Sequence, residues 1–103
     1  MEILKYPSPN FGSRREDTKI QFIILHYTAM DKQSSLDRLC SSDYEVSCHY
    51  LIDSAGTCYQ LVDDSKRAWH AGKSFWRGLR DINSRSLGIE LVNSGNEAYP
   101  KAQ

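Results

Sequence analysis

One nearly continuous apolar run, Ile20-Gln21-Phe22-Ile23-Ile24-Leu25, is interrupted only by Gln21. Its short length and its branched and aromatic residues predict a central strand buried on both faces, which delivers His26 at its C-terminal end. A second stretch, Ser86-Leu87-Gly88-Ile89-Glu90-Leu91-Val92-Asn93, predicts another mostly apolar strand with one carboxylate, Glu90, in its middle. Between them, His49-Tyr50-Leu51-Ile52-Asp53 and Thr57-Cys58-Tyr59-Gln60-Leu61-Val62 flank Ser54-Ala55-Gly56, the pattern of a β-hairpin with a glycine-containing turn. Ser34-Ser35 precede Leu36 and Leu39, three apart, which predicts a short amphipathic helix from about Ser35 to Cys40. From Tyr6 to Thr18 the residues Pro7, Ser8, Pro9, Asn10, Gly12 and Ser13 favour turns and extended chain, and Asp63 to Arg85 reads as a long polar and aromatic loop.

These elements predict an α/β fold, a mixed central β-sheet flanked by helices. Strands apolar on both faces need cover on both faces, and one convincing helix cannot supply it. About ten residues follow Asn93, too few for a covering helix and its connection. The expectation is therefore an N-terminal arm over residues 1–19 and, over 20–103, the N-terminal part of a single domain whose C-terminal part is missing.

Composition adds limits. A chain of 103 residues with 40% hydrophobic and 11% aromatic residues suits one small globular unit. Its 13 Lys+Arg balance its 13 Asp+Glu, so there is no long-range field toward nucleic acid or an anionic membrane, and neither is an expected partner. Cys40, Cys48 and Cys58 are odd in number and lack paired C-x-x-C spacing, so free thiols in a reducing compartment are expected. No apolar core follows a basic start in Met1-Glu2-Ile3-Leu4-Lys5-Tyr6-Pro7, which points to the cytoplasm; a periplasmic location would need an export signal from outside this chain.

Three histidines, His26, His49 and His70, sit in unlike settings, none four residues from another, so no helical ligand pair exists. Zinc hydrolases use three protein ligands, an open water position and a nearby base. His26 and Glu90, polar groups on apolar strands, are the natural pair for such chemistry. Position alone leaves bland readings open beside it: a hydrogen-bonded structural histidine, and a glutamate salt-bridged to Arg67 or Arg85.

The order of four blocks carries more. Phe22-Ile23-Ile24-Leu25-His26-Tyr27-Thr28-Ala29, Val46-Ser47-Cys48-His49-Tyr50-Leu51-Ile52-Asp53, Arg67-Ala68-Trp69-His70-Ala71-Gly72 and Ser86 to Asn93 follow one another as in the type-2 N-acetylmuramoyl-L-alanine amidases, relatives of the peptidoglycan recognition proteins. Ser8-Pro9-Asn10-Phe11 and Ser74-Phe75-Trp76-Arg77-Gly78 also fit, so the chain resembles that family from Tyr6 onward. The resemblance implies zinc-dependent hydrolysis of the N-acetylmuramoyl–L-alanine amide bond in peptidoglycan or muropeptides, in cell-wall degradation or recycling. It makes His26 the first Zn2+ ligand and Glu90 the general base. It places Trp69 and His70 along the sugar-peptide groove with Asn93 also on the substrate side, gives Arg77 and Arg80 to the stem-peptide carboxylates, and leaves His49 and Cys48 structural. The family's other two ligands, a histidine and an aspartate or cysteine, lie in a segment without counterpart here. The zinc site is thus expected to be incomplete, to be finished by a second polypeptide or further chain, or improvised from His26, His49 and His70. The rival readings are a non-catalytic peptidoglycan-binding remnant and a decaying gene product that barely folds.

Overall fold

In chain order the elements are β1 (Ile3–Lys5), β2 (Phe11–Ser13), β3 (Phe22–Tyr27), α1 (Lys32–Leu39), β4 (Tyr50–Ile52), β5 (Cys58–Gln60), β6 (Lys66–Ala68), β7 (Phe75–Trp76), β8 (Leu79–Arg80), a 3-10 turn (Ile82–Arg85) and β9 (Ser86–Leu91). This computed structural model describes residues 2–71, 75–76, 79–95 and 98–103, without the side chains of Phe75, Trp76 and Leu79. Five strands form one mixed sheet in the order β1-β5-β4-β9-β3, with β4 and β5 antiparallel and the other pairs parallel.

The hairpin forms as its pattern predicts, with Gly56 at φ 87 and the Asp53 carboxylate accepting the amides of Ala55 and Thr57 across the turn. The helix starts earlier than its serines suggest. Asp31 caps it by accepting the Ser34 amide at 2.7 Å, so Ser34 and Ser35 lie inside the first turn. The segment from Asp63 to Arg85 is not a plain loop: β6 pairs antiparallel with β2, and β7 with β8. Within the N-terminal arm, β1 joins the sheet edge beside β5, and Ser8 and Asn10 are buried.

Registers align Leu4, Tyr59, Leu51, Glu90 and His26 in one row across the five strands, on one face of the sheet. On that face α1 lays Leu36 and Leu39 against Leu51, Leu61, Val62 and Ala68 to make the core. The opposite face differs from expectation. β3 is an edge strand rather than a central one, and on its outer side Ile23, Leu25 and Tyr27 are 65%, 62% and 55% exposed. An unbroken apolar run does not reveal which of its faces the fold covers, and here only the His26 side is covered. Among the described residues no helix is long and apolar enough to cross a membrane, and Cys40, Cys48 and Cys58 are all free thiols.

Candidate functional site

His26 and Glu90 come together because β3 and β9 run parallel in a register that sets them directly opposite each other. Glu90 borders a cavity of about 140 Å³ shared with His70, Trp69, Thr28, Met30 and Arg38. That volume holds a few waters or one small group, so a larger ligand would insert only part of itself. Thr28 and Met30 reach the rim because Ala29 takes a left-handed turn, φ 59, with its amide held by the Asn93 carbonyl at 2.8 Å.

The Glu90 carboxylate is not paired with either arginine. Arg67 binds Asp81 at 2.8 Å, and Arg85 donates to the Arg80 carbonyl. Glu90 Oε2 is buried with no hydrogen-bond partner among the described residues, and burial pushes the carboxyl up to about 7. An orphaned buried carboxylate oxygen costs folding free energy, which argues for a role in function.

The three histidines converge. His26 Nε2 lies 3.1 Å from His70 Nδ1, and the His49 and His70 rings are 6.2 Å apart between centroids. His70 Nε2 is 3.0 Å from Ser86 Oγ, while its backbone amide and that of Ala71 bond Asn83 Oδ1. His49, fully buried, accepts the Gly88 amide at Nδ1 and donates Nε2–H to the Lys66 carbonyl. Burial lowers the affinity of all three rings for a proton, and for His70 burial and the neighbouring His26 and His49 bring it down to about 3. Gly88 allows this packing, since a Cβ there would sit 2.5 Å from His70 Cγ. Gly88→Ala is therefore expected to cost about 1–3 kcal/mol by overpacking and to shift the His70 ring resonances, measured by denaturant melts and NMR.

Other candidates fall elsewhere. Trp69 lines the cavity, its amide bonded to Ser47 Oγ. Arg80 is exposed on β8 and does not line the cavity. Asn93 is buried, its Oδ1 accepting the Gly95 amide, and is absent from the cavity wall. Arg77 lies outside the described residues. Arg38 borders the cavity from α1 and stacks on Tyr44 at 4.9 Å, a placement that no local sequence pattern marks.

Near the C-terminal ends of two parallel strands the fold thus sets Glu90, which opens on the cavity, opposite His26, which is not part of the cavity wall. Residues 16–103 match the family model described as N-acetylmuramoyl-L-alanine amidase, and the chain belongs to that family. It is 44% identical over 84 residues to the N-acetylmuramoyl-L-alanine amidase AmiD of Escherichia coli (strain K12), covering 75% of this chain and 30% of that protein. It is 31% identical over 121 residues to the 1,6-anhydro-N-acetylmuramyl-L-alanine amidase AmpD of Salmonella typhimurium (strain SL1344), covering 100% of this chain and 65% of that one. Among solved structures, a selenomethionine AmpD derivative superposes with a TM-score of 0.86 at 28% identity, over 99% of this chain and 67% of that one. The Escherichia coli AmiD complex with anhydro-N-acetylmuramic acid-L-Ala-D-gamma-Glu-L-Lys does so with 0.68 at 43% identity, over 74% and 32%. The mixed α/β sheet is thus the amidase fold, and the chain spans less than two thirds of the length of these two curated relatives.

A zinc ion needs three protein donors. Among the described residues no group of three metal-capable side chains is assembled. Both ring nitrogens of His49 and of His70 are engaged, which removes the improvised three-histidine site. His26 Nδ1 meets no hydrogen-bond partner among the described residues, so the chain fits one coordination position and not a complete site.

Proposed function

We propose that this chain carries the catalytic base and one zinc ligand of an enzyme that hydrolyses the N-acetylmuramoyl–L-alanine amide bond in peptidoglycan or muropeptides. The carrying observation is Glu90 Oε2, buried, without a partner among the described residues, on a residue set opposite His26 in the strand register. The substrate class rests on the family and on the muropeptide held by the AmiD structure.

In this reading Glu90, with an affinity for protons close to neutrality, takes a proton from the attacking water as its oxygen bonds the amide carbon. It then passes that proton to the departing alanine nitrogen as the C–N bond breaks. Trp69 offers an indole face for the sugar ring at the cavity mouth. Zinc, bound through His26 and donors outside these 103 residues, would supply Lewis acidity at the amide carbonyl. A peptidoglycan-binding module without catalysis has no use for an unpartnered buried carboxylate, and this favours the enzyme.

The test is release of the stem peptide from an N-acetylmuramoyl tripeptide with added zinc. The 103-residue chain alone is expected to turn over little or nothing, whereas the longer polypeptide containing it, or the chain with its complementing partner, is expected to be active. His26→Ala in that complete enzyme should remove turnover and weaken zinc retention in equilibrium dialysis. Zinc-dependent turnover by the isolated chain that survives His26→Ala would overturn the reading.

A further inference from the structure

We infer that His70 is a positioning residue that holds the proton of His26 on Nε2 and so reserves the Nδ1 lone pair as the acceptor atom of the site. Hydrogen-bond direction is fixed from one end of the chain of contacts. A backbone carbonyl only accepts, so the single hydroxyl proton of Ser86 points to the Ile82 oxygen, 2.7 Å away. Ser86 Oγ then has only lone pairs for His70 Nε2 at 3.0 Å, and that nitrogen must carry a proton.

A neutral imidazole has one proton, so His70 Nδ1 is an acceptor, and the nitrogen 3.1 Å away, His26 Nε2, must be a donor. Neutral His26 is left with a bare Nδ1. The relay Ile82–Ser86–His70–His26 is rigid at each link: Asn83 clamps the His70 backbone, Gly88 lies against its ring, and Ser86 is fully buried. His49 is fixed separately by backbone groups, Nδ1 accepting from Gly88 and Nε2 donating to Lys66. A histidine whose tautomer is set in advance engages an electron-pair acceptor or a proton without first moving its own proton.

The importance of Nδ1 rests on the amidase reading above, but the proton positions do not, so the test reads protons rather than turnover. In the 103-residue chain labelled with 15N-histidine, long-range 15N–1H correlation at neutral pH tells the protonated ring nitrogen from the bare one. His26 and His70 are both expected to carry hydrogen on Nε2. A proton on His26 Nδ1 in the wild-type chain would overturn the proposal without any variant. Ser86→Ala removes the acceptor that orders His70, and His26 should pass from one tautomer to a mixture. His70→Asn, which returns an acceptor toward His26, should restore the single tautomer that His70→Leu loses. His49 serves as the internal control for folding. If His26 keeps its Nε2 proton in His70→Leu while the His49 signals are unchanged, His70 does not position it and the inference fails.

Discussion

Glu90→Gln is expected to make the protein more stable at pH 8 by about 2 kcal/mol, while lowering amidase turnover in the complete enzyme by about 10²–10⁴-fold. Burial raises the Glu90 carboxyl from its ordinary 4.5 to about 7 in the folded chain. Between those values the unfolded chain has released the proton that the folded chain keeps, so stability falls as pH rises through this window and stays lowered above it. The displacement corresponds to about 3 kcal/mol at about 1.36 per pH unit, trimmed to about 2 by the solvent that still reaches the side chain. The amide keeps the shape and has no charge to strand. Denaturant melts of both proteins from pH 4 to 8 check this: the gap should close toward pH 4 and be widest at pH 8. A constant gap would mean that the fold does not shift the Glu90 carboxyl, and a gap that reverses as pH rises would mean that a partner stabilises its charge.

The histidines act in the opposite sense. His70 stays neutral in the fold down to about 3, and His26 and His49 are also depressed by burial. The unfolded chain takes up protons below about 6.5 that the folded chain refuses, so stability is lost as pH falls through that range. In the wild type the two slopes oppose each other between about 4.5 and 6.5. In Glu90→Gln only the histidine limb remains, and stability should rise steadily to a plateau above about 6.5.

Asn10→Asp is expected to cost about 3–5 kcal/mol, enough to leave a small domain largely unfolded at room temperature. Asn10 is 2% exposed, and its Nδ2 faces four carbonyls: Ser41 and Tyr44 at 2.8 Å, Val46 at 2.9 Å and Leu39 at 3.4 Å. Two amide protons are shared among these acceptors, tying the end of α1 and the turn after it to the N-terminal segment. A carboxylate there would turn negative charge toward four carbonyl oxygens. Asn10→Ala, which only leaves them unbonded, should cost about 2 kcal/mol. Circular dichroism melts of both variants would show whether Asp is the worse; equal losses would mean that the lost donation, and not the added charge, sets the cost.

That anchor was invisible in the sequence, where Asn10 reads as one more turn former. Such residues act through space on a segment that no local pattern links to them. β6, β7 and β8 escaped for the same reason, being two or three residues long and made by pairing with distant or adjacent short segments. The helix start was missed because Asp31, not Ser34, caps it. What was legible were polar residues in apolar strands, His26 and Glu90, because burial without a packing role is conspicuous in one dimension. Whether β3 lies at the centre or edge of the sheet was not, since hydrophobic runs record how much surface a strand could bury and not what covers it. The roles of Asn83, Ser86 and Gly88 around His70 became apparent only in three dimensions.

The pairing of β3 with β9 also sets the order of events during biosynthesis. His26 leaves the ribosome long before Glu90, and the parallel register that joins them closes only when nearly the whole chain is available. Until then β3 has no partner for its ladder on either side; afterwards, among the described residues, one edge stays open beside the exposed Ile23, Leu25 and Tyr27, a combination that invites pairing with other chains. Pairing with β9 therefore brings His26 opposite Glu90 while leaving the outer edge of β3 as exposed as before.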